Sequence, residues 1–323
     1  GKVYDITDFV IHHPGGDKIL LAAGGSIEPF WDIYSFHKTK DIRNILDRFI
    51  IGHVKEWQKE QNKVSPYVND PKRNKSFVIN TTMPFDAETK PQLLMESLIT
   101  NNGNFFVRNH MPVPDIKPEE YNLHISIPGK KEKVLTLKDL KKFPQKTIVS
   151  TLQCAGNRRN EMNRFKKIYG APAGFSAIGT AEWSGVALRD VLTAAGITED
   201  EPHFEHIVFE GYDEDIAGEH YGSSIPLDLA MRPRGDVLLA FKMNGVDLPR
   251  DHGYPVRLIV PGVVGARSVK WLKRIGVSEH ESQTFYHKKD YRTTPPSVEW
   301  DSFNFGDAHA IYYCPVQSAI CTP

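Results

Sequence analysis

Apolar and polar positions divide this chain into three stretches of different texture. Residues 1 to about 53 are dense in apolar and aromatic side chains, and the opening GKVYDITDF predicts a strand running into a turn and helix. The next stretch, VKEWQKEQNKVSPYVNDPKRNKSF (54 to 77), is polar, carries two prolines and has no period. A run that cannot bury a face predicts a linker, or a tether lying along a surface. From about 83 onward the pattern is mixed. LTLKDLKKF and LRDVLTAAG predict helical turns, the second stopped by Gly196. HIVFEGY, DVLLAF and YPVRLIVP have the β-branched and apolar runs of strands. No segment repeats.

A chain of 323 residues is long enough for two or three domains, so core size is no constraint. Its 40 basic residues balance 40 acidic ones, which gives no general argument for nucleic acid or an anionic membrane surface. No apolar run approaches the ~18 to 20 residues of a membrane span. Cys154, Cys314 and Cys321 form an odd, sparse set that argues against a disulfide framework, and the last two, with six residues between them, lack the spacing of a zinc pair. No leader-like segment precedes the first strand, and PVQSAICTP stops abruptly. Both ends read as cut, with the natural N-terminus removed.

The first stretch carries a candidate metal pair. HHPGGDKIL puts His13 before a proline that fixes φ and glycines that permit a sharp turn, so the imidazole projects from a rigid loop. His37 follows in FWDIYSFHKTK, flanked by Phe30, Trp31, Tyr34 and Phe36. Two histidines between aromatic and aliphatic walls suit a haem iron ligated on both faces, which has no open site and moves electrons. VYDITDF, HPGG, LLAAGG and FH together resemble the cytochrome b5 family, which implies His13 and His37 as axial ligands with His12 a bystander.

In the third stretch TLQCAGNRRNEM sets Cys154 beside Arg158 and Arg159. Four readings are open: disulfide half, apolar filler, nucleophile and metal ligand. A nucleophile needs a base; His110, His124, His206 and His252 are available, but spacing makes none adjacent. The arginines would lower the thiol pKa and equally attract an anionic substrate or phosphate. FFVRNHMPVP (105 to 114) packs Arg108 and His110 into a proline-bounded loop. RDHGYPVRLIVPGVVGARSVKWLKR (250 to 274) carries His252, Arg257, Arg267 and Lys270 among glycines. Donors from separated loops converging on one anion suit a phosphate-bearing cofactor.

TLQCAGNRR, FVRNHMPVP, PRDHGYPVR and PGVVGARSVKWL, together with the N-terminal stretch, resemble the sulfite oxidase family of molybdenum enzymes from Gly1 to the end of the chain. The resemblance implies an α+β protein: a small cytochrome b5-like haem domain over 1–53, a linker over 54–82, and a mixed α/β molybdopterin-binding catalytic domain over 83–313. Residues 314–323 would begin a truncated C-terminal immunoglobulin-like dimerisation domain. It further implies haem b on His13 and His37, and a Mo-molybdopterin whose molybdenum is bound by the Cys154 thiolate. The pterin would be held by Phe106, Val107, Arg108, Asn109 and His110, and by Asp213, His252, Arg257, Ser268, Val269 and Lys270. Arg108 and Arg159 would line the sulfite pocket, and Tyr291, in KKDYRTTPP, would be the active-site tyrosine.

The implied reaction is oxidation of sulfite to sulfate by oxygen-atom transfer, with electrons relayed through the haem to cytochrome c and the tether letting the haem domain swing. The implied setting is the mitochondrial intermembrane space, as a homodimer formed through the missing C-terminal domain. Three departures from the animal pattern stand out: GAPAGFSAIG (170 to 179) lacks the pocket tryptophan, for which Phe175 would substitute; Ser268 replaces a histidine; and an arginine that family members draw from the C-terminal domain is absent. A nitrate reductase-like enzyme would place its b5-like domain last and tends to have asparagine at Tyr291. A non-catalytic haem carrier would have no use for Cys154 with Arg108, Arg159 and Tyr291.

Overall fold

The computed structural model describes residues 1–55, 65–168, 170–198, 203–215, 217–299 and 305–322. The first 55 residues form a two-stranded antiparallel ribbon, Lys2–Tyr4 against Ile50–His53, closed by short helical turns including Glu28–Ile33 and Lys40–Leu46. Ile33 is the one buried apolar side chain here, while Ile11, Leu20, Leu21 and Phe36 stay exposed. A domain this small with so little core of its own depends on something else to cover its apolar side chains.

The large domain rests on two sheets. The first runs His220–Pro226, His206–Glu214, Leu272–Ser278, Asn122–Ser126, Lys133–Thr136, antiparallel except where Leu272–Ser278 meets Asn122–Ser126. The second runs Val246–Asp247, Leu238–Met243, Ile178–Ala187, Gln145–Gln153, with Arg257–Ile259 also paired to Leu238–Met243. Every second residue of His206–Glu214 from Ile207 onward is buried, the period-2 signature of a strand with one face in the core. Helix Leu188–Ala195 buries Leu188, Val191, Leu192 and Ala195, the i, i+3, i+4, i+7 stripe. It ends at Gly196 with φ 89°, a left-handed cap that a Cβ would disfavour. The strands and helix expected from HIVFEGY, DVLLAF and LRDVLTAAG are therefore present, whereas LTLKDLKKF supplies a strand and only a short helix, Leu137–Leu140, opened by a Thr136–Asp139 capping box.

Of the linker expected over 54–82, only part lies among the described residues. Residues 56–64 lie outside the described residues. Beyond them Tyr67 is buried and its hydroxyl donates to Ile33 O (2.9 Å), and Phe77 is buried against Phe85. Val78–Thr82 is a strand, paired with Phe85–Glu88, which in turn pairs with Val107–Arg108. A polar, aperiodic run can dock after all: it does so through single aromatic anchors and ion pairs, which periodicity does not register. Residues 314–322 have no strand or helix of their own and lie along the large domain, with Cys314 N donating to Gly262 O (3.0 Å). Among the described residues no helix is long and apolar enough to cross a membrane.

Candidate active site

Strand Gln145–Gln153 delivers Cys154 into a cleft lined also by Arg108, His110, Asp213, Arg257 and Lys270. The Cys154 amide donates to Ala177 O (2.9 Å), and its Sγ accepts from the Gly156 amide (3.4 Å). All the residues expected at molybdenum, substrate or pterin line this cleft except Val107, Val269 and Arg159. Val107 and Val269 face the opposite way, into two apolar cores. Arg159 opens the short helix Arg159–Met162 and donates to Ala171 O, so its charge acts from behind the wall. Of the four candidate bases, His110 and His252 reach the cleft; His124 and His206 do not. Phe175 is half-buried and is not part of the lining.

The expectation that Arg158 and Arg159 would depress the thiol is not met. Burial and the Asp86 charge push the Cys154 pKa up, against smaller opposing pulls from Arg108, the Gly156 amide and Arg159. Arg158 is turned away, paired with Glu161 (2.6 Å) and Ser318 O (2.9 Å). The thiol is thus a protonated soft donor that only a bound metal would ionise outright. Arg108 sits in register with Asp86, Nε to Oδ2 at 3.4 Å. Burial alone would lower its pKa, but the acidic groups around it, Asp86 among them, outweigh burial, and it stays charged.

Tyr291 has φ 53°, an uncommon backbone state for a bulky side chain, held by Arg267 Nη2 (3.1 Å) and Ile311 N (2.9 Å) donating to its carbonyl. Its hydroxyl shares a hydrogen bond with His110 Nε2. Burial raises the phenol above its ordinary range. Burial, then Arg108 and Lys270, push His110 well below its own. Both partners are therefore neutral near pH 7.

A second group gathers around Arg257. Among the described residues its guanidinium donates only to carbonyls, His252 O (2.9 Å), Ser268 O (3.1 Å) and Leu258 O (3.4 Å), and lies 5.1 Å from the Trp183 ring. Burial pulls its pKa down to about 9. Lys270 is pulled down mainly by burial, and Asp213 pushed up by burial, each tempered by the other. Asp213 Oδ1 is buried with no partner. A guanidinium without an acid and a carboxylate oxygen without a donor are groups built for a polar ligand. A pterin brings N–H donors and a phosphate, so the residues present fit it.

The haem-domain pair fits as well. The His13 and His37 rings are nearly parallel (11°), with centres 6.2 Å apart. Two metal–imidazole bonds of about 2 Å, plus ~1 Å from each ring nitrogen to its centre, span about that distance. His37 Nδ1 donates to Tyr34 O (3.0 Å), the outer contact expected of a ligating ring, whereas His13 Nδ1 accepts from the Gly15 amide (3.1 Å).

Sequence reasoning missed Asp251 and Tyr221, both in the lining. Asp251 adjoins His252 in the quoted RDHGYP and could have been found there; nothing in the sequence marks Tyr221.

Comparison with known proteins agrees with this geometry. Residues 110–286 match the family described as oxidoreductase molybdopterin binding domain, and residues 1–55 the cytochrome b5-like haem/steroid binding domain. The chain is 47% identical to the sulfite oxidase of Gallus gallus over 99% of its length, spanning 71% of that protein. It is 48% identical over its full length to the mitochondrial sulfite oxidase of Rattus norvegicus, of which it spans 60%. Among solved structures, the sulfane dehydrogenase SoxCD of Paracoccus pantotrophus superposes with a TM-score of 0.63 at 28% identity, covering 79% of this chain and 60% of that one.

Proposed function

Since the chain belongs to the sulfite oxidase family, we propose that it oxidises sulfite to sulfate and passes the electrons through haem b to cytochrome c. The observation that supports this most is the meeting of Cys154, Arg108 and Tyr291 in one cleft with Arg257, Lys270 and Asp213. In this reading Cys154 Sγ holds molybdenum, the Phe106–His110 loop with Asp213, His252, Arg257, Ser268 and Lys270 holds the pterin, and His13 and His37 hold the haem. When bound, molybdenum supplies two-electron oxygen-atom transfer and the haem carries single electrons onward.

The chain's own residues bind and orient. Arg108, charged and anchored by Asp86, offers a guanidinium fork to a dianion. Arg159 adds positive field from behind the wall. Tyr291 keeps its proton and can donate it in a hydrogen bond to a substrate oxygen, while neutral His110 holds the phenol without competing for the anion. The N-terminal position of the haem domain and a tyrosine at 291 favour sulfite over nitrate. Kinship with a relative named as mitochondrial supports a place in mitochondria; the intermembrane space and a homodimeric state are part of the proposal, on family resemblance alone.

Sulfite added anaerobically to protein loaded with molybdenum and haem should produce the reduced b-type haem spectrum, with nitrate plus reductant giving no turnover. Fully loaded protein whose haem stays oxidised would refute the proposal. Haem without molybdenum from replete cells would instead favour a haem carrier.

A further inference from the structure

Behind the cleft wall lies a buried ion pair whose cation comes from the segment joining the two domains. Arg73 lies outside both family-matched stretches. Its Nε and Nη2 grip the two Asp251 oxygens (2.9 and 2.8 Å), and Nη2 also reaches Asp70 (2.7 Å). The guanidinium is stacked 4.1 Å from the Phe85 ring centre. Asp251 in turn accepts from Asn109 Nδ2 (3.0 Å). Lys270 Nζ donates to Asn109 Oδ1 and to the Asp251 backbone carbonyl (2.9 Å), both neutral oxygens. The Asp251 carboxylate, with a pKa that burial would raise but Arg73 brings below the ordinary range, is thus satisfied from behind.

We propose that Arg73 is a positioning residue for the anionic part of the pterin cofactor: by occupying the Asp251 carboxylate it leaves the Lys270 charge free for a phosphate. This rests on reading the cleft as a molybdopterin site. Without Arg73, Asp251 keeps its charge in a buried setting, and the nearest cation able to neutralise it is Lys270. The ammonium would swing from the Asp251 carbonyl to the carboxylate and be lost to the ligand. A segment that reads as polar tether would then complete the cofactor site.

The test compares full-length wild type, Arg73→Met, Arg73→Lys and Arg73→Met/Asp251→Asn, produced in molybdenum-replete cells. Pterin and molybdenum are measured per haem, and pterin release is timed after dilution into buffer with or without inorganic phosphate. Arg73→Met should release pterin about tenfold faster, in line with other partners that orient cofactor ligands. Haem content should be unchanged. The double variant, lacking the carboxylate that needs neutralising, should return to within about threefold of wild type, and Arg73→Lys, which keeps the charge, should do likewise. Release from Arg73→Met at the wild-type rate would overturn the inference. So would a double variant no better than the single one, because Arg73 would then be only structural. Wild-type protein carrying haem but no pterin would overturn the cofactor reading, and this inference with it.

Discussion

Glu88 is the residue whose smallest possible change should disturb the thiol loop most. Only 2% exposed, its Oε1 accepts from the Gly174 amide (2.6 Å) and Asn80 Nδ2 (3.0 Å), and its Oε2 from the Ser176 amide (3.0 Å) and hydroxyl (3.1 Å). The segment so held is bonded to the Cys154 turn: Cys154 N to Ala177 O (2.9 Å), Arg158 N to Gly174 O (2.5 Å), Asn160 N to Ala173 O (2.9 Å). In Glu88→Gln one oxygen becomes NH2. Asn80 can flip and the Ser176 hydroxyl can accept, but neither backbone amide can. Whichever way the new side chain turns, one buried N–H loses its acceptor, at a cost of about 2 kcal/mol. Glu88→Ala removes every acceptor and should cost about 4 kcal/mol. Urea unfolding measures both, and molybdenum retention reports the local effect. A Glu88→Gln protein within ~0.5 kcal/mol of wild type would refute this account of the loop.

Cys154→Ser keeps an acceptor for the Gly156 amide, so thermal stability should stay within about 1 kcal/mol of wild type while sulfite-dependent haem reduction disappears. Arg108→Lys keeps the charge opposite Asp86 but loses the planar fork, and steady-state kinetics should show sulfite KM rising roughly tenfold with a smaller fall in kcat. His252 has its pKa lowered to about 4, chiefly by burial, so on acidification the unfolded chain takes up this proton near pH 6.5 and the native state does not. Its contribution of about 3 kcal/mol is present above pH 6.5 and is lost as pH falls toward 4; in His252→Gln the slope of stability against pH in that window should drop by up to about 1.4 kcal/mol per unit.

Much of the frame was legible because burial imposes a period. HIVFEGY and LRDVLTAAG announced a strand and a helix, since one face of each lies in the core. The two histidines were legible for a different reason: HPGG fixes a loop shape locally, and the structure sets His13 and His37 in the facing arrangement that loop allows. Arg108 with His110, and His252 with Arg257, announced themselves as charges inside apolar loops. Other features depend on contacts made only after folding. Tyr221 is an ordinary strand residue until His110 packs 4.7 Å from it. Arg158 and Arg159 are equivalent in sequence, yet the left-handed turn at Arg158 (φ 69°) sends the two guanidinia in different directions. The fate of the polar segment after 64 was set by Tyr67 and Arg73, single anchors that leave no periodic trace.

Charge shows the same gap most clearly. A chain with 40 basic and 40 acidic residues looks indifferent to anions, and composition cannot say where the imbalance lies. Folding creates it. Two segments far apart in sequence bring Arg108, and Arg257 with Lys270, into one cleft, and the acids nearby are already committed or uncharged. Asp86 faces Arg108, Asp251 is taken by Arg73, and burial pushes Asp213 toward its neutral form. What remains is a guanidinium with only carbonyl partners and an ammonium on neutral oxygens, both destabilised by burial. Such an arrangement costs the protein free energy on its own and returns it when an anion arrives, so the ligand stabilises the fold that binds it. In the function proposed above, that exchange, and not overall composition, makes a neutral protein selective for a phosphate-bearing cofactor and a small dianion.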